Sequence, residues 1–253
     1  MQWLFKLAEE YRSILRHGPF YETLSLGSNP TDIRGWIRQL YYQSREFTSA
    51  LSLRYAMCRD PRFQGCFAQH AMEEVDHCEQ LIDWMRKYAF LKPDECPTTV
   101  PATLDTLAVS AYCFRSVLRE SNAHQVIALN LISEGVSYDF FSAVIPKLAE
   151  LGLQTSRYWQ VHKEIDREHL AMGLDLIPQY EKDSPEGKVY ARIVWEMASL
   201  YGQMLDSWSG TSLHQKIEPP AWLEQPAYYL LNSVSNNYVY QSKKITVSTY
   251  SLA

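Results

Sequence analysis

Two histidines and an aspartate recur at helical spacing in one stretch of the chain, His162-Lys-Glu-Ile-Asp166-Arg-Glu-His169. The surrounding run 155–172 contains neither proline nor glycine, which predicts a helix. Positions i, i+4 and i+7 of a helix lie within about 60° of one another, so the three side chains share one face. Two imidazoles and a carboxylate on one face are ligands for a first-row transition metal. The charged neighbours leave a second interpretation open, in which this face is solvated and held by salt bridges.

Further carboxylates and one more imidazole lie on other predicted helices. The segment Glu74-Val-Asp-His77 sets a carboxylate and an imidazole three residues apart, on one helix face. Glu73 and Asp76 are alternative carboxylates beside it. Glu134 lies among apolar residues, where a buried carboxylate without a partner costs on the order of several kcal/mol. We therefore expect Glu134 to be either exposed or ligated.

Glu46 is the weakest candidate, because a glutamate beside Arg45 is more often a surface residue than a ligand. The remaining histidines, His70 among them, show no matching pattern, and we expect surface or capping roles for them. In chain order the candidates supply a carboxylate, E-x-x-H, a carboxylate and D-x-x-H, which is how helical bundles hold two iron or manganese ions. The predicted ligand set comprises Glu46, Glu74, His77, Glu134, His162, Asp166 and His169.

Composition narrows the class of protein. The 253 residues are 46% hydrophobic and carry a formal net charge of -5, which gives no basic footprint for a nucleic-acid partner. The five cysteines include no C-x-x-C pair, which is typical of free thiols in a reducing cytoplasm. No run of 18 apolar residues and no signal-peptide pattern occurs. We expect a cytoplasmic protein without a membrane partner.

Apolar periodicity and the positions of proline and glycine predict an all-α protein of about seven helices. A helical domain is expected over 1–210, followed by an irregular tail, 211–253, that packs on it, because three prolines forbid a long helix there. The predicted helices span about 3–16, 32–58, 62–90, 102–119, 122–151, 155–177 and 185–210.

The complete ligand order over 31–178 resembles the haem-oxygenase-like di-iron oxidases, which share a fold with thiaminase II and pyrroloquinoline-quinone synthase. The additional His162, one turn before Asp166, distinguishes this pattern from that of ferritin-like bundles. The resemblance implies about seven helices and two Fe(II) ions. It also implies a division of the ligands in which one iron takes His77, Glu134 and His169, the other takes Glu46, His162 and Asp166, and Glu74 is shared.

The same resemblance implies an enzyme that activates O2 to oxidise a small-molecule substrate. The best match is a tryptophan-like amino acid, with C–C cleavage or nitrile formation, in biosynthesis. The N-oxygenating members carry a further carboxylate two turns before the E-x-x-H glutamate, where this chain has Phe67. Fatty-acid decarboxylation to a terminal alkene, amine N-oxygenation, ferritin-like iron binding and a metal-free relative of the fold stay open as alternatives. A homodimeric assembly is also left open.

Overall fold

A computed structural model describes residues 1–29, 33–210 and 217–223, and every regular element in these ranges is helical. The predicted all-α class is confirmed. The elements are α1 (Gln2–Arg16), α2 (Pro19–Leu26), α3 (Arg34–Met57), α4 (Pro61–Glu73), α5 (His77–Lys87), a 3-10 turn (Pro97–Thr99), α6 (Leu104–Arg119), α7 (Asn122–Gln125), a π-helix (Val126–Glu134), α8 (Gly135–Glu150), α9 (Arg157–Ala171) and α10 (Pro185–Trp208).

The structure differs from the predicted helices in α2, in the break between α4 and α5, and in the π-helix. Residues predicted as a loop after the His17-Gly18-Pro19 stop form α2, with Pro19 in its first turn, where the fixed φ of proline favours a helix start. The predicted helix 62–90 is interrupted at Glu74, so that α4 and α5 are separate elements. The long segment 122–150 is continuous, but its middle is a π-helix rather than an α-helix.

In the core, α9 packs against α8 and the π-helix, α3 packs against α4, α5 and α6, and α10 packs against α1, α6 and the π-helix. Aromatic residues pack in the core as edge-to-face pairs such as Trp84 with Trp159, whose ring centroids are 4.9 Å apart. Both indoles are buried. This packing fixes α5 against α9, the two helices that carry histidines of the site below.

A charged clamp fixes α8 against α1. The Arg12 guanidinium donates to both carboxylate oxygens of Asp139 at 2.8 and 2.7 Å, and Arg16 donates to the same carboxylate at 2.7 Å. Gly135 makes room for the Arg12 side chain, because a Cβ at position 135 would lie 2.9 Å from Cδ of Arg12. Since Gly135 directly follows Glu134, the clamp also fixes where that carboxylate enters the core.

The first compact unit extends to Glu218, somewhat beyond the predicted boundary at residue 210. Tyr11 Oη donates to the carbonyl of Glu218, and Trp195 Nε1 donates to that of Ile217, each at 3.0 Å. The second unit begins at Pro219, and the predicted irregular tail beyond residue 223 lies outside the described residues. None of the helices in the described ranges is both long and apolar enough to cross a bilayer.

Candidate metal centre

Four segments of the core bring buried carboxylates and imidazoles to one place. Two groups of potential ligands form there, and the ligand atoms within each group lie within 4.8 Å of one another. Glu74 belongs to both groups, and every member is buried. One group is His70, Glu74, Glu134 and His169; the other is Glu74, His77 and His162.

A spacing that occurs twice in the chain underlies this arrangement. His70, Glu74 and His77 stand at i, i+4 and i+7, as do His162, Asp166 and His169 on α9. The rings pair crosswise, with 4.2 Å between the centroids of His70 and His169 and 4.3 Å between those of His77 and His162. The first histidine of each motif therefore lies against the last histidine of the other.

His70 corrects the sequence analysis, which expected this residue in a surface or capping role. Its side chain is fully buried beside Glu134. The repeated spacing was the signal that could have identified it, because each imidazole precedes a carboxylate by four residues and a second imidazole by seven.

Glu74 occupies the break between α4 and α5. Its Oε2 lies 2.6 Å from Nδ1 of His77, and its Oε1 lies 3.4 Å from Nδ1 of His169. Thr48 Oγ1 donates to the carbonyl oxygen of Glu74 at 3.2 Å and ties the break to α3. Glu73 lies farther out, about a third exposed, with Oε2 2.7 Å from Nε2 of His169. The geometry thus places Glu74 in the centre, and Glu73 behind one of the imidazoles.

Glu134 ends the π-helix, a nine-residue segment that is buried throughout. π-Helical turns are rare and are frequently found at functional sites. The Ser133 hydroxyl donates to the carbonyl of Ala128, five residues earlier, at 2.9 Å. Oε1 of Glu134 lies 2.5 Å from Nε2 of His70 and 3.7 Å from Nδ1 of His169. The Glu134 carboxylate, which the sequence predicted to be either exposed or ligated, is therefore buried among imidazoles.

Asp166 is fully buried but belongs to neither group of ligand atoms. Its Oδ2 accepts a hydrogen bond from the Ser137 hydroxyl at 2.7 Å, whereas Oδ1 has no hydrogen-bond partner among the described residues. The carboxylate is close enough to Glu74 and Glu134 for its charge to affect both. Asp166 lies at the edge of the centre with one oxygen available.

Glu46, the remaining predicted ligand, is not brought into either group. Its side chain is a quarter exposed, and its Oε1 accepts a hydrogen bond from Arg45 at 2.7 Å. The residues of α3 that line the cavity at the centre are Gln43, Ser44 and Phe47. Because one residue of a helix corresponds to a rotation of about 100°, a carboxylate next to Phe47 is turned to the side. The ligand division implied by the resemblance also differs, since His77 groups here with His162 instead of with Glu134 and His169.

The protonation of the carboxylates shows how crowded the charges are. Burial raises the pKa of Glu134 well above its ordinary value, and the charges of Asp166 and Glu74 raise it further. Burial and Glu74 likewise raise the pKa of Asp166. Burial alone would raise the pKa of Glu74 too, but the adjacent imidazoles of His169 and His77 hold it well below the usual range. Burial lowers the pKa of His162 to about 4, so this imidazole is neutral at physiological pH.

Buried polar atoms without partners test whether a metal ion fits these residues. Oε1 of Glu74, Oδ1 of Asp166 and Nδ1 of His169 have no hydrogen-bond partner among the described residues, although each is buried. Leaving such an atom unpaired costs about 1–3 kcal/mol, more for a charged group. A divalent cation would satisfy Oε1 of Glu74 and Nδ1 of His169, which belong to one group, and a mixed nitrogen and oxygen set suits iron or manganese. The residues therefore fit a metal centre.

Two imidazoles also have the outer contacts that orient metal-binding histidines. Nδ1 of His162 donates to the carbonyl of Tyr158 at 2.6 Å, which leaves Nε2 free for a metal. Nε2 of His169 lies 2.7 Å from Oε2 of Glu73, which leaves Nδ1 free.

Two small cavities adjoin the centre, each of about 20 Å³. A polar cavity reaches Glu74, Glu134 and His162, and an apolar cavity lies beside it. The residues that line both are Gln43, Ser137, Phe141 and Tyr201. A volume of this size holds about one water molecule, so a larger substrate requires side chains to move.

Comparisons with known proteins identify the family of the chain. Residues 34–202, most of the helical domain, match the family of iron-containing redox enzymes with a haem-oxygenase-like fold. The chain belongs to this family, and the predicted haem-oxygenase-like bundle is confirmed.

A solved structure shows the same fold. The chain is similar to a TenA homologue from Pseudomonas syringae pv. tomato str. DC3000, with a TM-score of 0.59 over 82% of this chain and 88% of that chain. Sequence identity is 12%, so the likeness concerns the fold alone. No curated protein matches the chain.

Proposed function

We propose that the protein is a non-haem di-iron oxygenase that uses O2 to oxidise a small substrate. The observation that carries this proposal is a cluster of buried carboxylates and imidazoles in which Oε1 of Glu74 and Nδ1 of His169 have no hydrogen-bond partner among the described residues, with Oδ1 of Asp166 likewise unpaired. A hydrolytic enzyme without a metal has no need for that many buried ligands. Membership of an iron-containing redox family supports iron as the metal.

The two groups that share Glu74 suggest two metal positions. His77 and His162 would hold one Fe(II), Glu134 and His169 would hold the other, and Glu74 would lie between them. Asp166 is placed to add its free oxygen. Three buried carboxylates would offset most of the charge of two divalent ions, whereas without a metal two of them have a raised pKa.

Iron bound here would supply the reduction of O2, which protein side chains cannot perform. The chain's own residues would hold the ligands in position and exclude water. Phe141 stacks on the His162 ring with 4.3 Å between centroids, and Phe47 lines the same cavity. The Arg12–Asp139 clamp fixes the start of α8 and therefore Glu134.

The cavity lining bears on the substrate. The sequence resemblance favours an aromatic, tryptophan-like amino acid, and Phe140, Phe141 and Trp208 would suit an aromatic ring. Neither cavity is lined by lysine or arginine among the described residues, so the carboxylate of an amino acid would need the metal as its partner. We propose C–C cleavage or nitrile formation on such a substrate.

A fatty acid is the second candidate substrate. The apolar cavity is bounded mainly by aliphatic and aromatic side chains, including Leu40, Val136 and Met204. These side chains favour an alkyl chain as much as a ring, and decarboxylation to a terminal alkene would be the reaction.

One experiment tests the function and separates these substrates. Protein loaded anaerobically with Fe(II) is exposed to O2 with single aromatic amino acids, fatty acids or amines, while O2 consumption and products are followed by mass spectrometry. We expect substrate-dependent O2 uptake and a product that has lost carbon or gained oxygen. Uptake equal to that of Fe(II) in buffer for every compound, or ferric iron stored without a product, would contradict the proposal and favour iron storage.

A further inference from the structure

The two histidines that open the repeated motifs occupy equivalent positions but have opposite surroundings. His70 and His162 each precede a carboxylate by four residues and a histidine by seven. Nδ1 of His162 lies 2.6 Å from the carbonyl oxygen of Tyr158. A carbonyl oxygen only accepts, so the proton of this neutral ring is on Nδ1, and Nε2 keeps a lone pair for a metal.

At His70 the partners of Nδ1 are donors. Nη2 of Arg54 lies 2.8 Å from Nδ1, and a guanidinium nitrogen can only donate. Nδ2 of Asn130 lies 3.1 Å from the same atom. This amide nitrogen is identified by its neighbours, because Oδ1 of Asn130 accepts from Nη1 of Arg54 at 2.8 Å and Nδ2 donates to the His169 carbonyl at 2.9 Å. Nδ1 of His70 is therefore an acceptor, and its ring proton is on Nε2.

The proton on Nε2 of His70 points at the carboxylate of Glu134. Nε2 of His70 lies 2.5 Å from Oε1 of Glu134, so the ring donates there and has no lone pair left for a metal ion. An unprotonated Nε2 at this place would require a proton on Nδ1, directed at the N–H groups of Arg54 and Asn130.

Arg54 is built to maintain this arrangement. Its side chain is 1% exposed, and its guanidinium carbon lies 4.1 Å from the centroid of the Phe67 ring. Burial lowers the pKa of Arg54 to about 10, so the group still carries its charge at neutral pH. Burying a cation is costly unless it is hydrogen-bonded, and here the Arg54 guanidinium determines the direction of two hydrogen bonds.

We propose that His70 is a positioning residue and not a metal ligand: Arg54 and Asn130 hold it as the Nε2–H tautomer, and it orients the Glu134 carboxylate toward the metal position. This inference rests on the proposed metal centre, and it makes the repeated motifs unequal. The motif of α9 supplies a ligand at its first position, whereas the motif of α4 and α5 supplies a hydrogen-bond donor.

The direct test is NMR of protein with ¹⁵N-labelled histidine, metal-free and loaded with Zn(II) as a diamagnetic probe, with His70 assigned by its loss in His70→Gln. We expect the Nε2–H tautomer at His70 in both samples, and loss of a lone pair to zinc at His162 and His169. A zinc-bound Nε2 or a proton on Nδ1 at His70 would overturn the inference. Failure of the protein to bind any metal would instead refute the proposed function, since the metal-free tautomer is read independently.

Variants give a second readout. Glutamine at position 70 can accept a hydrogen bond from Arg54 through Oε1 and donate one to Glu134 through Nε2. We therefore expect His70→Gln to keep its Fe(II) affinity within about threefold of the unaltered protein, and His70→Ala to lose about 10–100-fold in Fe(II) affinity. Affinity is measured by competition with a chelator, and circular dichroism checks folding. Equal losses in both variants, as large as that of His169→Ala, would show that His70 is a ligand. Unchanged affinity in His70→Ala would remove the positioning role, and should this variant not fold, the NMR result decides.

Discussion

The rings of His77 and His162 lie with their centroids 4.3 Å apart, although one belongs to α5 and the other to α9. Glu74 reaches both, with its Oε2 at 2.6 Å from Nδ1 of His77 and 3.8 Å from Nε2 of His162. Two buried imidazoles and a carboxylate at these distances would form one half of the proposed metal centre. The crosswise pair of His70 and His169 marks the other half.

Replacement of His162 by alanine tests the first half. We expect His162→Ala to bind one Fe(II) per chain instead of two, and to lose turnover, because Nε2 of His162 is the free nitrogen in this group. Anaerobic titration with Fe(II) measures the stoichiometry. His124→Ala is the matched control, since His124 is paired with Glu120 away from the site. Two bound ions in His162→Ala would remove this residue from the centre.

Glu73 provides a test of the outer contacts. Its Oε2 is the partner of Nε2 of His169, so Glu73→Gln should weaken the ligand and reduce Fe(II) affinity about tenfold or more. Chelator competition measures the affinity. Glu168→Gln, an exposed glutamate next to His169 in sequence, serves as the control and should change it little. Equal Fe(II) affinities in the two variants would contradict a role of Glu73 in orienting His169.

Glu46 distinguishes the ligand set predicted from the sequence from the one that the structure assembles. With its carboxylate paired to Arg45 and a quarter exposed, Glu46→Gln should leave Fe(II) stoichiometry unchanged. Glu134→Gln should lose one Fe(II), because Glu134 is buried within the second group. If Glu46→Gln also loses an ion, then metal binding must draw this side chain inward, and the sequence-based assignment was the better one.

Metal affinity should depend on pH in a definite direction. Glu134 and Asp166 have pKa values raised by burial and by neighbouring carboxylates, so in the metal-free protein they hold protons above the usual carboxyl range. Iron binds the deprotonated forms, so binding must release these protons, and affinity must rise as pH increases through the raised pKa values and fall below them. Calorimetry in buffers of different ionisation enthalpy measures the proton release. Binding without proton release at neutral pH would show that the carboxylates are already ionised.

Most of the fold could be predicted because its helices are long, amphipathic and bounded by proline or glycine. The break at Glu74 could not, because nothing in Glu73-Glu74-Val75-Asp76 forbids a continuous helix. The π-helix could not be predicted either, since its mostly apolar residues fit either helical form.

The residues of the site likewise include some that the sequence indicates and some that it does not. Glu134 could be found because a lone carboxylate among apolar residues demands a partner, and the α9 motif because three ligand types share one face. His70 was missed because each histidine was judged alone, without comparing spacings between motifs. Glu46 was included by its place in the family order, whereas its orientation depends on the rotation of α3, which the sequence does not specify.

The most direct test of the account is a crystal structure of protein loaded anaerobically with Fe(II), with anomalous diffraction measured at the iron edge. We predict two anomalous peaks in the core, on either side of the Glu74 carboxylate, one beside His77 and His162 and one beside Glu134 and His169. A single peak, or peaks away from Glu74, would contradict a di-iron centre in this protein.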